Sequence, residues 1–225
     1  MMKEEARTRV LSVGIVPVVR TSSLKKAMAA AQAVAAGGIS IVEVTMTVPG
    51  ALEAITQLAK DLGEDVLLGA GTVLDAETAR QCFEAGAEFL VTPGVDLGTI
   101  KAANDAGKLI LAGALTPTEV IAAWRAGADF VKVFPASALG GPNYIKALRG
   151  PLPQIPLVPT GGVNLNSAAD FIRAGAAALG IGGELVSAAA LNSGNTAHIT
   201  ELARQYLAIV QETRDAQTKP ALAAV

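Results

Sequence analysis

Residues 125–133 read RAGADFVKV, a helical stretch that ends in glycine and passes directly into strand-forming residues. The same junction recurs six more times, at residues 35–44, 61–70, 84–91, 105–112, 148–158 and 173–181. Glycine tolerates the left-handed backbone that closes many helices, so each junction predicts a helix end followed by a strand. The junction glycines recur every 20 to 26 residues, about the length of one strand–helix unit: Gly37, Gly63, Gly86, Gly107, Gly127, Gly150 and Gly175.

One further strand, VGIVPVV at residues 13–19, precedes the first helix of the series at 24–36 and brings the total to eight. Eight alternations of strand and helix predict an α/β protein with a single (β/α)8 TIM barrel. An open doubly wound sheet is the alternative, but it favours a G-x-G-x-x-G turn after its first strand, and residues 20–23 read RTSS. A short helix at about 2–10 is expected to cap a barrel domain of residues 1–213, followed by a loose tail at 214–225.

The composition indicates a chain with a large covered core. Hydrophobic residues make up 51% of the 225 residues and charged residues 17%. The net charge of −2 leaves no basic surface, so we expect no nucleic-acid partner. The first residues form no apolar signal region, and no apolar run reaches the ~18 residues of a membrane span. These features predict a soluble, cytoplasmic protein that does not bind membranes.

Metal-ligating residues are scarce. The one cysteine, Cys82, cannot form an internal disulfide and is expected to be buried in a helix. The one histidine, His198, falls in the predicted C-terminal helix. Without a cluster of His or Cys we expect no metal and no cofactor, so activation of a carbonyl group would have to be covalent.

Lys132 is the only lysine inside a predicted strand, in the sixth strand FVKVF. Strand alternation places it on the same side as Phe130 and Phe134. Burial favours the neutral amine, and a neutral amine is the nucleophile that condenses with a ketone. The alternatives are a structural ion pair or a side chain that extends to the barrel mouth.

Glu43 is the matching lone charge in the second strand, SIVEVT, on the same side as Ile41 and Thr45. A carboxylate there would complement an inward amine and could move protons on a bound substrate. The alternative is a Glu–Lys pair that only closes the core of the barrel.

Hydroxyls and glycines follow several strands, where TIM barrels hold their functional groups. Thr72 follows Gly69-Ala70-Gly71 after the third strand, and Thr160 precedes Gly161 and Gly162 after the seventh. Gly182 and Gly183 follow the eighth strand. Backbone N–H groups of such turns, near the next helix N-terminus, can bind a phosphate, although ordinary turn formation also explains a Gly-Gly pair.

Five segments carry a resemblance to a known family: IVEVTMTVPGA (41–51), LLGAGTVL (67–74), FLVTPG (89–94), FVKVFPAS (130–137) and VPTGGVN (158–164). In this order and spacing, from about Val13 to Val186, the chain resembles the 2-keto-3-deoxy-6-phosphogluconate (KDPG) aldolases. This family includes the 4-hydroxy-2-oxoglutarate (KHG) and 6-phosphogalactonate aldolases. The resemblance implies a lyase and homotrimer that reversibly cleaves a phosphorylated keto sugar acid to pyruvate and glyceraldehyde 3-phosphate.

The resemblance also implies roles for individual residues. Lys132 matches the Schiff-base lysine and Glu43 the general acid/base, while Thr72 would hold the pyruvoyl part. Thr160 would line the site, and Gly161 and Gly162 would bind phosphate.

Two positions depart from the family pattern. Many members carry an arginine that grips the pyruvate carboxylate where this chain has Thr47, whose backbone or hydroxyl would then serve instead. A serine that touches phosphate is often found at the position of Gly183, which here is followed by the acidic Glu184. Arg20, at the end of the first strand, could compensate for either loss.

Other functions remain open from the sequence. A phosphate-binding isomerase or epimerase would need paired carboxylates, or a carboxylate and a histidine, at strand ends, and the chain offers neither. A non-catalytic trimeric barrel used as a structural scaffold is a further alternative, since the alanine-rich segments AMAAAQAVAA and LVSAAAL suit a subunit interface as well as a core.

Overall fold

The computed structural model describes the backbone of residues 1–222 and the side chains of residues 1–218. Eight strands alternate with helices along the chain. The strands are β1 Ile15–Val19, β2 Ile41–Thr45, β3 Leu67–Gly71, β4 Phe89–Val91, β5 Leu109–Ala114, β6 Phe130–Val133, β7 Leu157–Pro159 and β8 Leu179–Ile181. The helices are α1 Lys3–Val13, α2 Leu24–Ala36, α3 Ala51–Leu62, α4 Ala76–Glu84, α5 Leu97–Asp105, α6 Pro117–Arg125, α7 Pro142–Arg149, α8 Ala168–Arg173, α9 Ala188–Ser193 and α10 Thr196–Leu222, with 3-10 turns at Gly63–Asp65 and Ala136–Leu139.

The eight strands form a parallel barrel in which neighbours in sequence are neighbours in space. The order runs from β7 down to β1, and β1 also pairs with β8. A parallel bridge between Thr160 and Gly180 joins the remaining edges, just beyond β7. An open doubly wound sheet would reverse its strand order at a switch point, and this sheet has none. The predicted (β/α)8 barrel is therefore confirmed.

The barrel interior is packed, and glycines on the strands make the space for larger side chains. Every residue of the eight strands is buried. A Cβ on Gly69 would overlap the ring of Phe89, and one on Gly113 would overlap the backbone of Pro93 and Gly94. Protein cores are packed as densely as crystals of small molecules, so there is no room for an added Cβ at these positions. The glycines therefore determine which larger groups can pack against them.

Short connections carry the chain from each strand to the next helix. Ser23, Asp75, Asp96 and Thr116 cap α2, α4, α5 and α6, each accepting a hydrogen bond from a backbone N–H of the first turn. Such caps replace the missing hydrogen bonds at a helix start, so the helix can begin within a few residues of the strand. The strand ends beneath are thereby held in fixed positions.

The junction glycines all follow a helix end within two residues, but not all act as predicted. Gly37 has a right-handed φ of −79°, and its neighbour Gly38 adopts the left-handed φ of 96°. Gly150 is also right-handed, with φ −54°. The prediction of a left-handed residue at the helix end is therefore wrong for Gly37 and Gly150. After α2 the left-handed residue is Gly38, and after α7 the chain enters a proline-rich turn.

The helices around the barrel pack against one another as well as against the strands. Ala27, Ala30, Ala31 and Ala33 of α2 are buried, and α2 packs against α10. The alanine-rich segment of α2 is therefore part of the core. Cys82 is buried in α4, as predicted.

The N-terminal helix α1 packs on the amino-terminal side of the barrel. In α1, Arg9 donates to the carbonyl oxygens of Glu64 and Asp65, and Lys3 lies 3.0 Å from the carboxylate of Asp129. Both contacts lie at turns that enter strands, so the predicted N-terminal cap is present, although it runs to Val13 rather than to residue 10.

The C-terminal helix α10 is attached to the amino-terminal side of the barrel. Arg214 donates to the carbonyl oxygens of Ser12 and Ala177. The helix continues to Leu222, and residues 223–225 lie outside the described part of the chain, so the loose tail at 214–225 stays a prediction. No helix within residues 1–222 is long and apolar enough to cross a bilayer.

Candidate active site

A cavity of about 300 Å³ opens at the carboxyl ends of the strands. It is lined by Val18, Arg20, Lys132, Phe134, Thr160, Gly161, Gly162, Val163, Gly180, Gly182, Gly183, Glu184 and Val186. These residues come from strand ends and loops of β1, β6, β7 and β8, which are far apart in the sequence. The carboxyl end is where TIM barrels hold their catalytic groups, so the cavity is the candidate active site.

Lys132 is held inside the barrel near the end of β6. Its register partners are Gly113 on β5 and Val158 on β7, and the residue is only 5% exposed. Its Nζ lies 5.3 Å from the centre of the Phe134 ring, two residues further along the same side. Among the described residues, no side chain forms a hydrogen bond or salt bridge with Nζ. The amine is thus left available to a ligand in the cavity, and the alternative of a structural ion pair finds no support.

Glu43 stands across the barrel, on β2, four strands away from β6 in either direction. The residue is 1% exposed, and its Oε1 has no hydrogen-bond partner among the described residues. Gly71 makes its position possible, because a Cβ there would overlap Oε1. Burial raises the pKa of Glu43 above its usual 4.5, while the positive charges of Lys132 and Arg20 act in the opposite direction. A carboxyl group with a raised pKa holds a proton more readily than a solvated one, which suits a general acid/base.

Arg20 and Thr72 form a second polar group above Glu43. The guanidinium Nη2 of Arg20 donates to Oγ1 of Thr72 over 3.2 Å. Thr72 has φ 58°, the only residue other than glycine with a positive φ in the described chain. A β-branched residue in this conformation is strained, and such strain is concentrated at functional sites. Thr72 does not itself line the cavity but contacts it through Arg20.

The loops after β7 and β8 supply backbone donors. Gly161 and Gly162 have φ values of 88° and 77°, and a Cβ on Gly162 would overlap Ser137. The amides of Gly161, Gly162 and Gly183 donate to no backbone carbonyl in the described chain, so they are available to an anion. Thr160 is 7% exposed, and its side chain fits because Gly180 has none.

The structure places the loop glycines before the next helices and Thr47 beside Thr45. The helices α8 and α9 begin at Ala168 and Ala188, so several residues of turn separate the glycines from the helix starts. The hydroxyl of Thr47 lies 2.8 Å from that of Thr45. Neither Thr47 nor Glu43 is among the residues that line the cavity, so their contact with a substrate stays a prediction.

Sequence reasoning missed the apolar part of the cavity wall, Val18, Val163 and Val186. A signal existed for Phe134, which shares a strand face with Lys132, but none marked the valines among the many in the core. The residues that the structure describes contain no group of three or more His, Cys, Asp or Glu placed to hold a metal ion.

Comparisons with known proteins agree with this geometry. The family model described as "KDPG and KHG aldolase" matches residues 6–202. A 2-dehydro-3-deoxy-phosphogluconate aldolase of Treponema pallidum is 38% identical over 88% of this chain and 94% of its own length. A KHG/KDPG aldolase of Escherichia coli is 37% identical over 85% of this chain and 89% of its own.

Solved structures show the same relationship. A KDPG aldolase of Legionella pneumophila, with pyruvate captured as a covalent carbinolamine intermediate, is 30% identical over 88% of this chain and 96% of its own, with a TM-score of 0.82. A protein cage designed by fusing symmetric oligomeric domains is 29% identical over 93% of this chain and 76% of its own, with a TM-score of 0.85. With the family model spanning most of the barrel, this chain belongs to the KDPG and KHG aldolase family.

Proposed function

We propose that this lyase cleaves 2-keto-3-deoxy-6-phosphogluconate reversibly to pyruvate and glyceraldehyde 3-phosphate through a Schiff base on Lys132. The observation that carries the proposal is the amine of Lys132, which lines the cavity, has no hydrogen-bonding partner in the described chain and lies near enough to the buried Glu43 for its charge to lower the pKa of that carboxyl group. A lysine in such surroundings can serve as a nucleophile toward a ketone. The family name of its relatives supports the same substrate class.

The reaction follows from the placement of these two groups. Nζ of Lys132 adds to the C2 carbonyl, and loss of water from the carbinolamine gives an iminium ion. Glu43 accepts the proton of the C4 hydroxyl, the C3–C4 bond breaks, and its electron pair moves into the iminium system to give an enamine. Glyceraldehyde 3-phosphate leaves, C3 takes up a proton, and water releases pyruvate from the lysine. Glu43 is suited to both proton transfers because its pKa is raised.

The two charged ends of the substrate would lie at opposite sides of the cavity. Many members of the family bind the pyruvate carboxylate with an arginine at the position where this chain has Thr47. Here the guanidinium of Arg20, oriented by Thr72, is placed to bind that carboxylate instead. The unpaired amides of Gly161, Gly162 and Gly183 favour the phosphate. Thr160 would shape the wall between Lys132 and these loops.

A second candidate is cleavage of the unphosphorylated 4-hydroxy-2-oxoglutarate. The observation that favours it is Glu184, whose carboxylate lines the cavity directly after Gly183 and opposes a phosphate there. A 6-phosphogalactonate substrate is the remaining candidate within the family, since a KDPGal structure is 31% identical with a TM-score of 0.83.

Trapping with pyruvate and borohydride tests the proposal. The parent should gain the mass of one reduced pyruvate adduct, mapped by peptide analysis to Lys132, and Lys132→Arg should gain none because a guanidinium forms no imine. Lys108→Arg is the matched control, since Lys108 pairs with Glu88 at the other end of the barrel. Cleavage of the three acids, compared by kcat/KM, then selects the substrate. An unmodified parent would contradict the Schiff-base mechanism and favour the scaffold alternative, whereas an adduct on Lys108 or Lys146 would contradict the assignment of the Schiff base to Lys132.

We also propose that the chain acts as a cytoplasmic homotrimer. The support for oligomerisation is the likeness to a cage built from symmetric oligomeric domains. Sedimentation equilibrium should return three times the mass of 22.7 kDa.

A further inference from the structure

Glu184 lies on the wall between two cavities. One is the candidate active site, and the other, of about 500 Å³, lies outside the loops that follow β7 and β8, against α10. The outer cavity is lined by Asn164, Leu165, Asn166, Gly183, Glu184, Ser187, His198, Leu202 and Tyr206. Gly183 and Glu184 are the residues that the two cavities share, and Glu184 is exposed.

The inner position of this carboxylate conflicts with a phosphate. The unpaired amides of Gly161, Gly162 and Gly183 open into the inner cavity, next to Glu184. Two negative groups in one cavity repel each other, although Glu184 is exposed and solvent screens part of the repulsion. A phosphorylated substrate therefore binds better when the carboxylate is held away from these amides.

The outer cavity is lined by Tyr206, whose hydroxyl is suited to hold the carboxylate of Glu184. Tyr206 of α10 is 1% exposed, yet it lines the outer cavity, and its hydroxyl forms no hydrogen bond with any described residue. The hydroxyl borders the outer cavity and can therefore donate to an acceptor that enters this cavity. Burial and the nearby negative charge of Glu184 raise the pKa of Tyr206 to about 12, so the hydroxyl stays protonated and can donate throughout the neutral range.

We propose that Glu184 sets the preference between phosphorylated and unphosphorylated substrates, and that Tyr206 is its positioning residue, drawing the carboxylate into the outer cavity. This inference rests on the proposed aldolase function and adds a specificity determinant to it. With Glu184 outside, the glycine amides are free to bind phosphate; with Glu184 inside, the site favours a neutral or short substrate tail.

A double-mutant cycle of Glu184→Gln and Tyr206→Phe tests the proposal, with Tyr144→Phe as the matched control. Tyr144 is the other tyrosine of the chain, and it donates to the carbonyl of Leu115, away from these loops. KM and kcat are measured for a 6-phosphorylated and an unphosphorylated 2-keto-3-deoxy acid. Tyr206→Phe should raise KM about 5- to 10-fold for the phosphorylated acid alone, with kcat unchanged, the size expected for one hydrogen bond to a charged group.

The remaining variants distinguish a positioning role of Tyr206 from a purely structural one. Glu184→Gln should lower KM for the phosphorylated acid by about 3- to 10-fold, since a neutral side chain no longer repels phosphate. In the Glu184→Gln background, Tyr206→Phe should change nothing, and Tyr144→Phe should leave the parent ratio intact. An equal effect of Tyr206→Phe in both backgrounds, or on both substrates, would overturn the inference.

Binding of inorganic phosphate keeps this test independent of the reaction. The parent, Glu184→Gln and Tyr206→Phe are titrated with phosphate and followed by calorimetry, and the same order of affinity is expected: Glu184→Gln tightest and Tyr206→Phe weakest. A chain that cleaves no keto acid but shows this order contradicts the proposed function and supports the role of Glu184. A chain that cleaves the acids while all variants bind phosphate equally contradicts only the inference.

Discussion

Replacing Glu43 with glutamine should stabilise the folded chain and slow the reaction at the same time. The carboxylate is 1% exposed, its Oε1 has no partner in the described chain, and burial outweighs the attraction of Lys132 and Arg20 because the net shift raises its pKa. Glutamine keeps the size and loses the charge. We expect a gain of about 1–2 kcal/mol in the free energy of unfolding at pH 7, because the uncharged amide avoids most of the desolvation cost of a buried carboxylate.

The pH dependence of this gain in stability follows from the raised pKa of Glu43. Between the usual pKa of 4.5 and the raised one, the folded parent binds more protons than the unfolded chain, so its stability falls as the pH rises through this window. Glutamine does not titrate. The advantage of Glu43→Gln should therefore grow as the pH rises through this window and be larger at pH 7 than at pH 4.5.

Urea unfolding of both proteins at pH 7 and pH 4.5, at equal protein concentration, measures the stability, and a cleavage assay measures the rate. Turnover should fall about 10²- to 10⁴-fold, the contribution of a positioned acid/base group, while the pyruvate adduct at Lys132 still forms. A variant that is less stable than the parent at pH 7, or that cleaves substrate at nearly the parent rate, would refute the reasoning about Glu43.

Three further outcomes can be measured with single substitutions. Arg20→Gln should raise KM for pyruvate in the condensation direction by about 10- to 100-fold through loss of a charged hydrogen bond, with a smaller change in kcat; an unchanged KM would assign the carboxylate to another group. Gly71→Ala should lower the free energy of unfolding by about 1–3 kcal/mol and displace Glu43, because the new Cβ overlaps Oε1 of Glu43. Gly183→Ala is the control, because nothing lies within 4 Å of the new Cβ. Its free energy of unfolding should stay within about 0.5 kcal/mol of the parent value. Gly183→Ser should increase the preference in kcat/KM for a 6-phosphorylated over an unphosphorylated acid, and no change would indicate that this loop does not bind phosphate.

The sequence alone was sufficient for the barrel and for its two central charges. Repeated junctions such as RAGADFVKV mark the helix ends and strands through local backbone preferences, which do not depend on distant contacts. Lys132 and Glu43 stood out because each is a lone charge in an apolar strand, where a charge is costly unless it has a function. Alternation along a strand then gives the side on which each residue lies.

Only the tertiary structure decided how the groups at the barrel mouth are combined. The contact of Arg20 with Thr72, the turning of Thr47 toward Thr45, and the space that Gly71 leaves for Glu43 each join different parts of the chain. The position of Glu184 between two cavities depends on α10, which returns across the loops after β7 and β8. Local preferences determine that a loop follows a strand, but the path of that loop is set by packing against elements far away in sequence, and this packing placed the residues at the mouth of the candidate site.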